Sequence, residues 1–360
     1  MGKTEFPIGQ RLIGGDAGSF IIAEIGINHD GSLSRAVQLI DAAAEAGADA
    51  VKFQSYRTDR LLIESPDRYA QQQEGTESAY QMLRRCELSW EDQEKLRKHA
   101  AGRGIEFLST PFDEESADFL DSIGVPAFKI ASGDLTHVFL LRRVAAKRKP
   151  IFLSTGMAYL DEVADAIDTL NSAGAEDIVP MHCVSAYPAS PEQMNLRSLH
   201  TMRSHFGLPV GLSDHTRGIL VTLSAVALGA VVVEKHFTLD KNAPGPDHNL
   251  SMDPDDLKQL IRSVREMESS LGDGRKRPSD AEQSARVLAR RSIVAAVDIP
   301  RHETILPHML TYKRPASGLE PRYAEQVIGM SAGRDIAKDT AIRWEDLIPA
   351  PPDSQDKCNA

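Results

Sequence analysis

Short apolar runs alternate with longer amphipathic stretches from about residue 20 to residue 270 of the chain. The spacing in Ser34–Ala46, where Val37, Ile40 and Ala44 recur every three or four residues, predicts a helix. Repeated strand and helix units of this kind are typical of a parallel sheet. The predicted strands are Ile21–Gly26, Ala50–Gln54, Ile105–Ser109, Ala127–Ile130, Ile151–Ser154, Ile178–Cys183, Val210–Ser213 and Val231–His236.

The number of these units favours a closed (β/α)₈ TIM barrel, which takes about 250 residues. The alternative is an open doubly wound sheet, which usually has fewer strands and a GxGxxG fingerprint after the first one. No GxGxxG occurs in the chain. We therefore predict an α/β fold whose TIM-barrel catalytic domain covers residues 17–272.

The pattern changes after residue 272. Gly, Pro and basic residues, with a helical stretch over Asp280–Ala289, predict a linker at 273–289. Short strand-like runs separated by turn residues then predict a small β-rich domain at 290–350, and the polar tail 351–360 is predicted to be disordered. The runs are Ser292–Ile299, Thr304–Ile305, Leu310–Lys313 and Ala332–Ile336.

Composition narrows the class of protein. The formal charge of −11, from 41 Lys+Arg and 52 Asp+Glu, argues against a nucleic-acid partner, because binding to phosphate backbones requires an excess of cations. No apolar run approaches the roughly 20 residues of a membrane span. Cys86, Cys183 and Cys358 lack paired spacing and the N-terminus lacks a secretion signal, so we expect a cytoplasmic protein.

Polar residues lie at or just after the carboxyl end of nearly every predicted strand. In a (β/α)₈ barrel the chemistry lies at the carboxyl ends of the strands. A Ser or Thr at such a position can also simply cap the next helix. In chain order the candidates are Glu24, Lys52, Gln54, Thr110, Lys129, Ser132, Ser154, Ser185, Tyr187, Ser213, His215, Glu234 and His236.

Lys52 and Lys129 lie inside apolar runs, where a buried cation needs a partner. Two lysines with nearby hydroxyls suit a phosphate and a carboxylate, which points to a phosphorylated acid as one substrate. The alternatives are a structural ion pair or a Schiff-base lysine, as in barrel aldolases.

His215 and His236 end successive predicted strands, so both imidazoles would open onto the same mouth of the barrel. We predict that they share one divalent metal ion, Mn²⁺ first, with Mg²⁺ or Co²⁺ as alternatives. Glu234 is either a further ligand or a partner that orients an imidazole. Asp247, in a proline-rich loop after His236, is a candidate contact for a substrate hydroxyl.

Nine segments of the barrel region carry a family resemblance. They are Ile22–Gly31, Ala46–Gln54, Leu108–Phe112, Phe128–Gly133, Leu153–Met157, Ser185–Pro188, Gly211–Thr216, Glu234–Thr238 and Pro244–His248. Together these segments resemble the sialic acid synthase family, which includes legionaminic and pseudaminic acid synthases. The C-terminal region, with Arg291–Ala295 and Tyr312–Pro315, looks like the antifreeze-protein-like (β-clip, SAF) domain of that family.

The resemblance implies a transferase that condenses phosphoenolpyruvate with the open-chain aldehyde of an acetamido hexose. The product would be a nine-carbon 2-keto-3-deoxy acid, with release of phosphate. N-acetylmannosamine, giving N-acetylneuraminate, is the first expectation for the sugar. A 2,4-diacetamido-2,4,6-trideoxy hexose is the alternative, and a Schiff-base aldolase or a non-catalytic sugar-binding protein remains as a rival function.

The resemblance also assigns roles. Glu24 or Glu234 would handle the proton of the attacking water, and the metal on the two histidines would polarise the aldehyde oxygen. Arg314 would reach the sugar from the other subunit of a domain-swapped homodimer. Lys52, Thr110, Lys129, Ser132, Ser154 and Ser213 would hold phosphoenolpyruvate, and Gln54, Tyr187 and Asp247 the sugar.

Two positions depart from the family pattern. Ser185 stands where some bacterial sialate synthases have an asparagine, which changes one contact to phosphoenolpyruvate. Glu74, in the loop Tyr69–Ser78, stands where an asparagine contacts the acetamido sugar in such enzymes.

Overall fold

The computed structural model of the chain describes residues 5–67 and 77–350. It divides between Gly272 and Asp273 into two compact units. Glu74 and the tail 351–360 lie outside the described residues, so the predictions made for them stay predictions. None of the described helices is long and apolar enough to cross a membrane.

Among its described residues, the first unit contains ten strands. A short hairpin, β1 and β2, precedes eight parallel strands, β3 to β10. Their bounds are β1 Glu5–Ile8, β2 Arg11–Gly14, β3 Phe20–Gly26, β4 Ala50–Ser55, β5 Glu106–Pro111, β6 Phe128–Ile130, β7 Ile151–Ser154, β8 Ile178–Cys183, β9 Gly211–Asp214 and β10 Val232–His236.

The eight parallel strands form one sheet in the order β5-β4-β3-β10-β9-β8-β7-β6. First and last strands pair in register, with Glu24 opposite His236 and Val232 opposite Phe20. Strands β5 and β6, at the two ends of this order, contact each other without a backbone ladder. The sheet is therefore a nearly closed barrel, which confirms the predicted (β/α)₈ fold over the open alternative.

Amphipathic helices surround the barrel. In the first of them, Leu39 and Ile40 are fully buried against the strands, Ser32 caps the amino terminus by accepting from Arg35 N, and Gly47 ends the helix at φ 89°. The described helices of the first unit are α1 Leu33–Ala46, α2 Thr58–Leu61, α3 Ala79–Cys86, α4 Trp90–Gly102, α5 Glu114–Ser122, α6 Val138–Ala145, α7 Leu160–Ser172, α8 Ser198–Phe206, α9 Leu220–Ala227 and α10 Pro254–Leu271. The helices α11 Gln283–Ala289 and α12 Ala324–Val327 belong to the second unit.

The hairpin β1–β2 closes the amino-terminal end of the barrel. Its side chains Phe6, Ile8 and Ile13 are buried in one cluster with the lower interior residues of the strands, among them Phe152. The hairpin turn meets the start of β5, where Gln10 N donates to the Glu106 carboxylate at 3.4 Å. The sequence patterns did not predict this hairpin, because its two four-residue strands are too short to show a clear period.

The second unit is a small β-rich domain, as predicted. Its strands are β11 Ser292–Ala295, β12 Leu310–Lys313, β13 Ser331–Ala332 and β14 Leu347–Ile348. The predicted strands Ser292–Ile299 and Ala332–Ile336 are shorter in the structure, and single bridges replace their remaining length, as between Ile299 and Ile336. Next to this bridge, the side chain of Asp298 accepts from Lys338 N, so a side chain takes the place of a backbone ladder partner.

Candidate active site

A cavity of about 220 Å³ opens at the carboxyl ends of the barrel strands. We call it the cup. All of the barrel residues predicted for the site line it except Ser185. Its lining comprises Glu24, Ile27, Lys52, Gln54, Leu61, Met82, Leu83, Thr110, Phe112, Lys129, Ala131, Ser132, Ser154, Cys183, Tyr187, Ser213, His215, Glu234, His236, Pro246 and Asp247.

Two lysines and two glutamates form a buried cluster in the cup. The Lys52 ammonium lies 2.8 Å from Glu24 Oε2 and 3.8 Å from Glu234 Oε1. It also donates to Thr110 Oγ1 at 3.0 Å. Lys129 Nζ lies 3.3 Å from the same Glu234 oxygen, and Ser213 Oγ donates to that oxygen at 3.0 Å. The register of β3, β4 and β10 places these side chains on the interior face.

The shared environment gives the two carboxyl groups different pKa values. Burial raises the pKa of Glu24 to about 7, although the neighbouring Lys52 lowers it. Burial would also raise the pKa of Glu234, but the two lysines outweigh that effect and lower it. At neutral pH Glu24 is therefore partly protonated, while Glu234 stays ionised. Partial loss of the negative charge on Glu24 leaves the lysines more able to attract an anion.

Burial lowers the pKa of Lys129, with Glu234 opposing the shift. Glu234 Oε2 is buried without a hydrogen-bond partner within the described structure. Buried polar atoms are usually paired, so unpaired ones in a cavity indicate a place for a ligand or water.

The two predicted histidines lie next to each other in the cup, at the ends of the adjacent strands β9 and β10. The ring centroids of His215 and His236 are 5.4 Å apart, and the Tyr187 ring packs against His215 at 4.1 Å. The backbone oxygen of Val184 lies 2.8 Å from His215 Nδ1, which sets the orientation of that imidazole. The Nδ1 of His236 is buried without a hydrogen-bond partner, and Asp247 Oδ2 lies 3.8 Å from it.

These residues fit a divalent metal ion. Rings that bind one ion through nitrogens at about 2.0–2.1 Å lie at separations of this order. Burial, with the nearby His215, lowers the pKa of His236 well below its usual range, which favours the neutral form that binds metal. No cluster of three or more protein ligands occurs among residues 5–67 and 77–350. An ion on the two histidines would therefore complete its coordination with water or substrate oxygens.

The loop after β10 holds Asp247 over the cup. Asn28 Nδ2 donates to Phe237 O and to Ser251 Oγ, each at 2.9 Å, and Thr238 Oγ1 lies 2.7 Å from His248 Nδ1. Burial raises the pKa of Asp247 to about 6, with His215 opposing the shift. A carboxyl group held in this way can accept or donate a hydrogen bond to a substrate hydroxyl.

Ser132 and Ser154 line the cup beside Gly156. Ser132 Oγ accepts from Gly156 N at 3.0 Å. Ser185 does not line the cup; a Cβ placed on Gly156 would lie 2.4 Å from its hydroxyl, so it stands behind that glycine. Arg314 belongs to the second unit, at a cis peptide bond with Pro315. Its predicted contact with the sugar therefore stays a prediction.

Sequence reasoning missed part of the cup. One side is an apolar wall formed by Ile27, Leu61, Met82, Leu83 and Phe112. Three of these come from the segment around α2 and α3, which lies between β4 and β5 and carries no strand-end signal. The thiol of Cys183 also lines the cup, 3.9 Å from His215 Nδ1. Its position as the last residue of β8 could have identified it.

Comparison with known proteins identifies the family. The model of the NeuB family matches residues 39–276, and that of the SAF domain matches residues 290–348. The chain belongs to the NeuB family. The first match covers most of the barrel that forms the cup, and the second covers the small β-rich domain.

Relatives within the NeuB family extend over nearly the whole chain. N,N'-diacetyllegionaminic acid synthase of Legionella pneumophila is 43% identical and covers 96% of this chain and 99% of its own. Human N-acetylneuraminate-9-phosphate synthase is 35% identical and covers 94% and 95%. The crystal structure of N-acetylneuraminic acid synthetase from Leptospira borgpetersenii superposes with a TM-score of 0.72 at 34% identity, covering 79% of this chain and 95% of that one.

Proposed function

We propose that this member of the NeuB family condenses phosphoenolpyruvate with the open-chain aldehyde of an acetamido hexose. The products are a nine-carbon 2-keto-3-deoxy sugar acid and phosphate. One observation carries the proposal: a buried cluster of two lysines and two glutamates shares the cup with two neighbouring histidines. The first group suits the anionic substrate and the second suits a metal that binds the aldehyde.

Phosphoenolpyruvate binds at the lysines. Lys52 and Lys129 supply donors to phosphate and carboxylate oxygens, and these charge-assisted bonds are among the stronger polar contacts in proteins. Hydroxyls of Thr110, Ser132, Ser154 and Ser213 in the same cup complete the set of donors. Because the lysines are almost fully buried, water competes little for the bound anion.

His215 and His236 would hold the divalent metal, with Mn²⁺ as our first choice, and its chemistry is that of a Lewis acid for the aldehyde oxygen. The chain's own residues fix the geometry around it. Tyr187 packs against one imidazole at 4.1 Å and edge-on against the other at 6.0 Å, which restricts both rings. Asp247 and Gln54 line the same cup and are placed to contact sugar hydroxyls.

Glu24 is the better placed of the two glutamates to take a proton from water. C3 of phosphoenolpyruvate forms the new bond to the aldehyde carbon, C2 takes up water, and loss of phosphate by C–O cleavage completes the reaction. The water must lose a proton as it adds to C2. The pKa of Glu24, raised to about 7, lies near the working pH that suits a general base. Glu234 is held ionised by both lysines, so it is a weaker base.

The apolar wall bears on the choice of sugar. Our first expectation from sequence, N-acetylmannosamine, stays a prediction. A 2,4-diacetamido-2,4,6-trideoxy hexose carries a second acetyl methyl and a C6 methyl, and these would bury apolar surface against Leu61, Met82 and Leu83. The relative of this chain named N,N'-diacetyllegionaminic acid synthase, at 43% identity, also supports this second candidate.

Phosphate release tests the proposal. The protein is incubated with Mn²⁺, phosphoenolpyruvate and either N-acetylmannosamine or a 2,4-diacetamido-2,4,6-trideoxy hexose. Aldose-dependent phosphate release with formation of a nine-carbon acid supports it. No release with any aldose would end the synthase assignment. Borohydride trapping with pyruvate separates out the Schiff-base aldolase, since only that enzyme would form a stable lysine adduct.

The proposal includes a domain-swapped homodimer in the cytoplasm, in which Arg314 reaches the sugar bound in the cup of the partner subunit. Sedimentation gives the oligomeric state. Arg314→Ala should then raise the KM for the aldose while leaving the KM for phosphoenolpyruvate within about twofold. A monomer with full activity would remove this part of the proposal.

A further inference from the structure

An ion pair lies directly behind the two histidines, on the outer face of the barrel. Asp214 and Lys235 precede His215 and His236 in the chain, and they are register partners on β9 and β10. Successive strand residues point to opposite faces, so the histidines line the cup while the pair points toward the helices. Neither member of the pair lines the cup.

The pair is buried and hydrogen-bonded to its surroundings. Lys235 Nζ lies 2.8 Å from Asp214 Oδ2, and the side chains are 3% and 0% exposed. Thr222, on α9, donates from its hydroxyl to the same carboxylate oxygen at 2.6 Å. Two buried charges are a costly way to join two strands, because apolar side chains of similar size often give equal or greater stability. The pair therefore calls for a reason besides stability.

The bonds of the pair enclose the backbone of His215. Asp214 Oδ1 accepts from both the backbone N and the hydroxyl of Thr216, each at 2.8 Å. Lys235 Nζ donates to the backbone oxygen of Thr216 at 2.5 Å. The ion pair thus restrains Thr216, the residue after His215. Its own members, Asp214 and Lys235, directly precede His215 and His236.

We infer that the Asp214–Lys235 pair is a positioning device that fixes the two imidazoles relative to each other for metal binding. This inference rests on the metal site of the proposed function and adds residues that do not touch the metal. Loss of the pair frees the backbone of Thr216 on both its N–H and its C=O. His215 can then move relative to His236. The two rings must then be ordered before both can bind one ion, and this lowers the metal affinity.

Mn²⁺ affinity and thermal stability, measured together, test the inference. Isothermal titration with Mn²⁺ alone gives the affinity, and a melting curve of the metal-free protein gives Tm. Asp214→Asn and Lys235→Met each leave one buried charge unpaired, so both should lower Tm and weaken Mn²⁺ binding at least tenfold. The neutral double variant removes both charges, so it should regain most of the Tm but stay at least tenfold weaker in Mn²⁺ binding.

A matched control uses the ion pair at the other end of the barrel, where Asp49 Oδ2 lies 3.1 Å from Arg265 and accepts from Ile21 N at 2.8 Å. Asp49→Asn should lower Tm and leave Mn²⁺ affinity unchanged. If the single variants of the Asp214–Lys235 pair do not fold, Mn²⁺ affinity is measured on two other variants. These are the double variant and Thr222→Val, which removes one hydrogen bond to Asp214.

Wild-type Mn²⁺ affinity in Asp214→Asn and Lys235→Met, or recovery of affinity together with Tm in the double variant, would overturn the positioning role. That outcome leaves the proposed function standing. Absence of Mn²⁺ binding by the wild type would instead remove the metal site itself, and with it both proposals.

Discussion

Replacement of Lys129 by Met gives the sharpest test of the anion site. Lys129 is 4% exposed, and its Nζ lies 3.3 Å from Glu234 Oε1. Methionine keeps most of the buried volume and removes the charge. Glu234 would retain Lys52 at 3.8 Å and the hydroxyl of Ser213 at 3.0 Å, so its carboxylate keeps partners and the fold should persist.

The expected magnitude follows from the bond that Lys129 would make to phosphoenolpyruvate. A hydrogen bond to a charged group contributes about 1.5–3 kcal/mol. At 1.36 kcal/mol per factor of ten, the KM for phosphoenolpyruvate should rise roughly 10- to 150-fold. The KM for the aldose should change far less, because the histidine pair and the apolar wall are intact.

Steady-state phosphate release, with each substrate varied in turn, measures both KM values. Lys147→Met is the matched control, since Lys147 forms an outer ion pair with Asp118 at 2.6 Å, away from the cup. That variant should keep both KM values. An unchanged KM for phosphoenolpyruvate in Lys129→Met, or an equal rise for both substrates, would refute the assignment of this lysine to the anion.

Further predictions concern the metal, the base and the barrel floor. His236→Ala should lose Mn²⁺ binding and turnover together, and full activity of this variant in chelator would sink the shared site. Turnover of the wild type should fall as pH drops below about 7, because Glu24 becomes protonated, and Glu24→Gln should be slow and lack this dependence; an unaltered profile would exclude Glu24 as the base. Phe6→Ala should cost about 3–5 kcal/mol in urea unfolding with KM values unchanged.

Much of the barrel is readable from sequence because strand ends carry a local signal. Each strand couples an apolar run to a polar residue at its carboxyl end, as Val231–His236 does, so the list of cup residues follows once a barrel is assumed. Once the barrel closes, Glu24 lies opposite His236, and the strand register then identifies the neighbours of each residue at the strand ends.

What the sequence could not show depends on distances between segments far apart in the chain. The difference between Glu24 and Glu234 arises because one lysine serves both carboxyls while the second contacts only Glu234. The apolar wall comes from Leu61 and Met82, whose helices show only ordinary amphipathic spacing. The Asp214–Lys235 pair looks in sequence like two charged residues beside histidines, and only the strand register joins them.

The hairpin β1–β2 has a consequence for the traffic of ligands. Phe6, Ile8 and Ile13 fill the amino-terminal end of the barrel, so within the described residues the cup opens at its carboxyl-terminal mouth alone. A group bound at Lys52 and Lys129 is then covered by any ligand bound between these lysines and Asp247. Under the proposed function, phosphate released at the lysines would leave after the sugar acid, and inorganic phosphate would then compete with phosphoenolpyruvate for the empty enzyme.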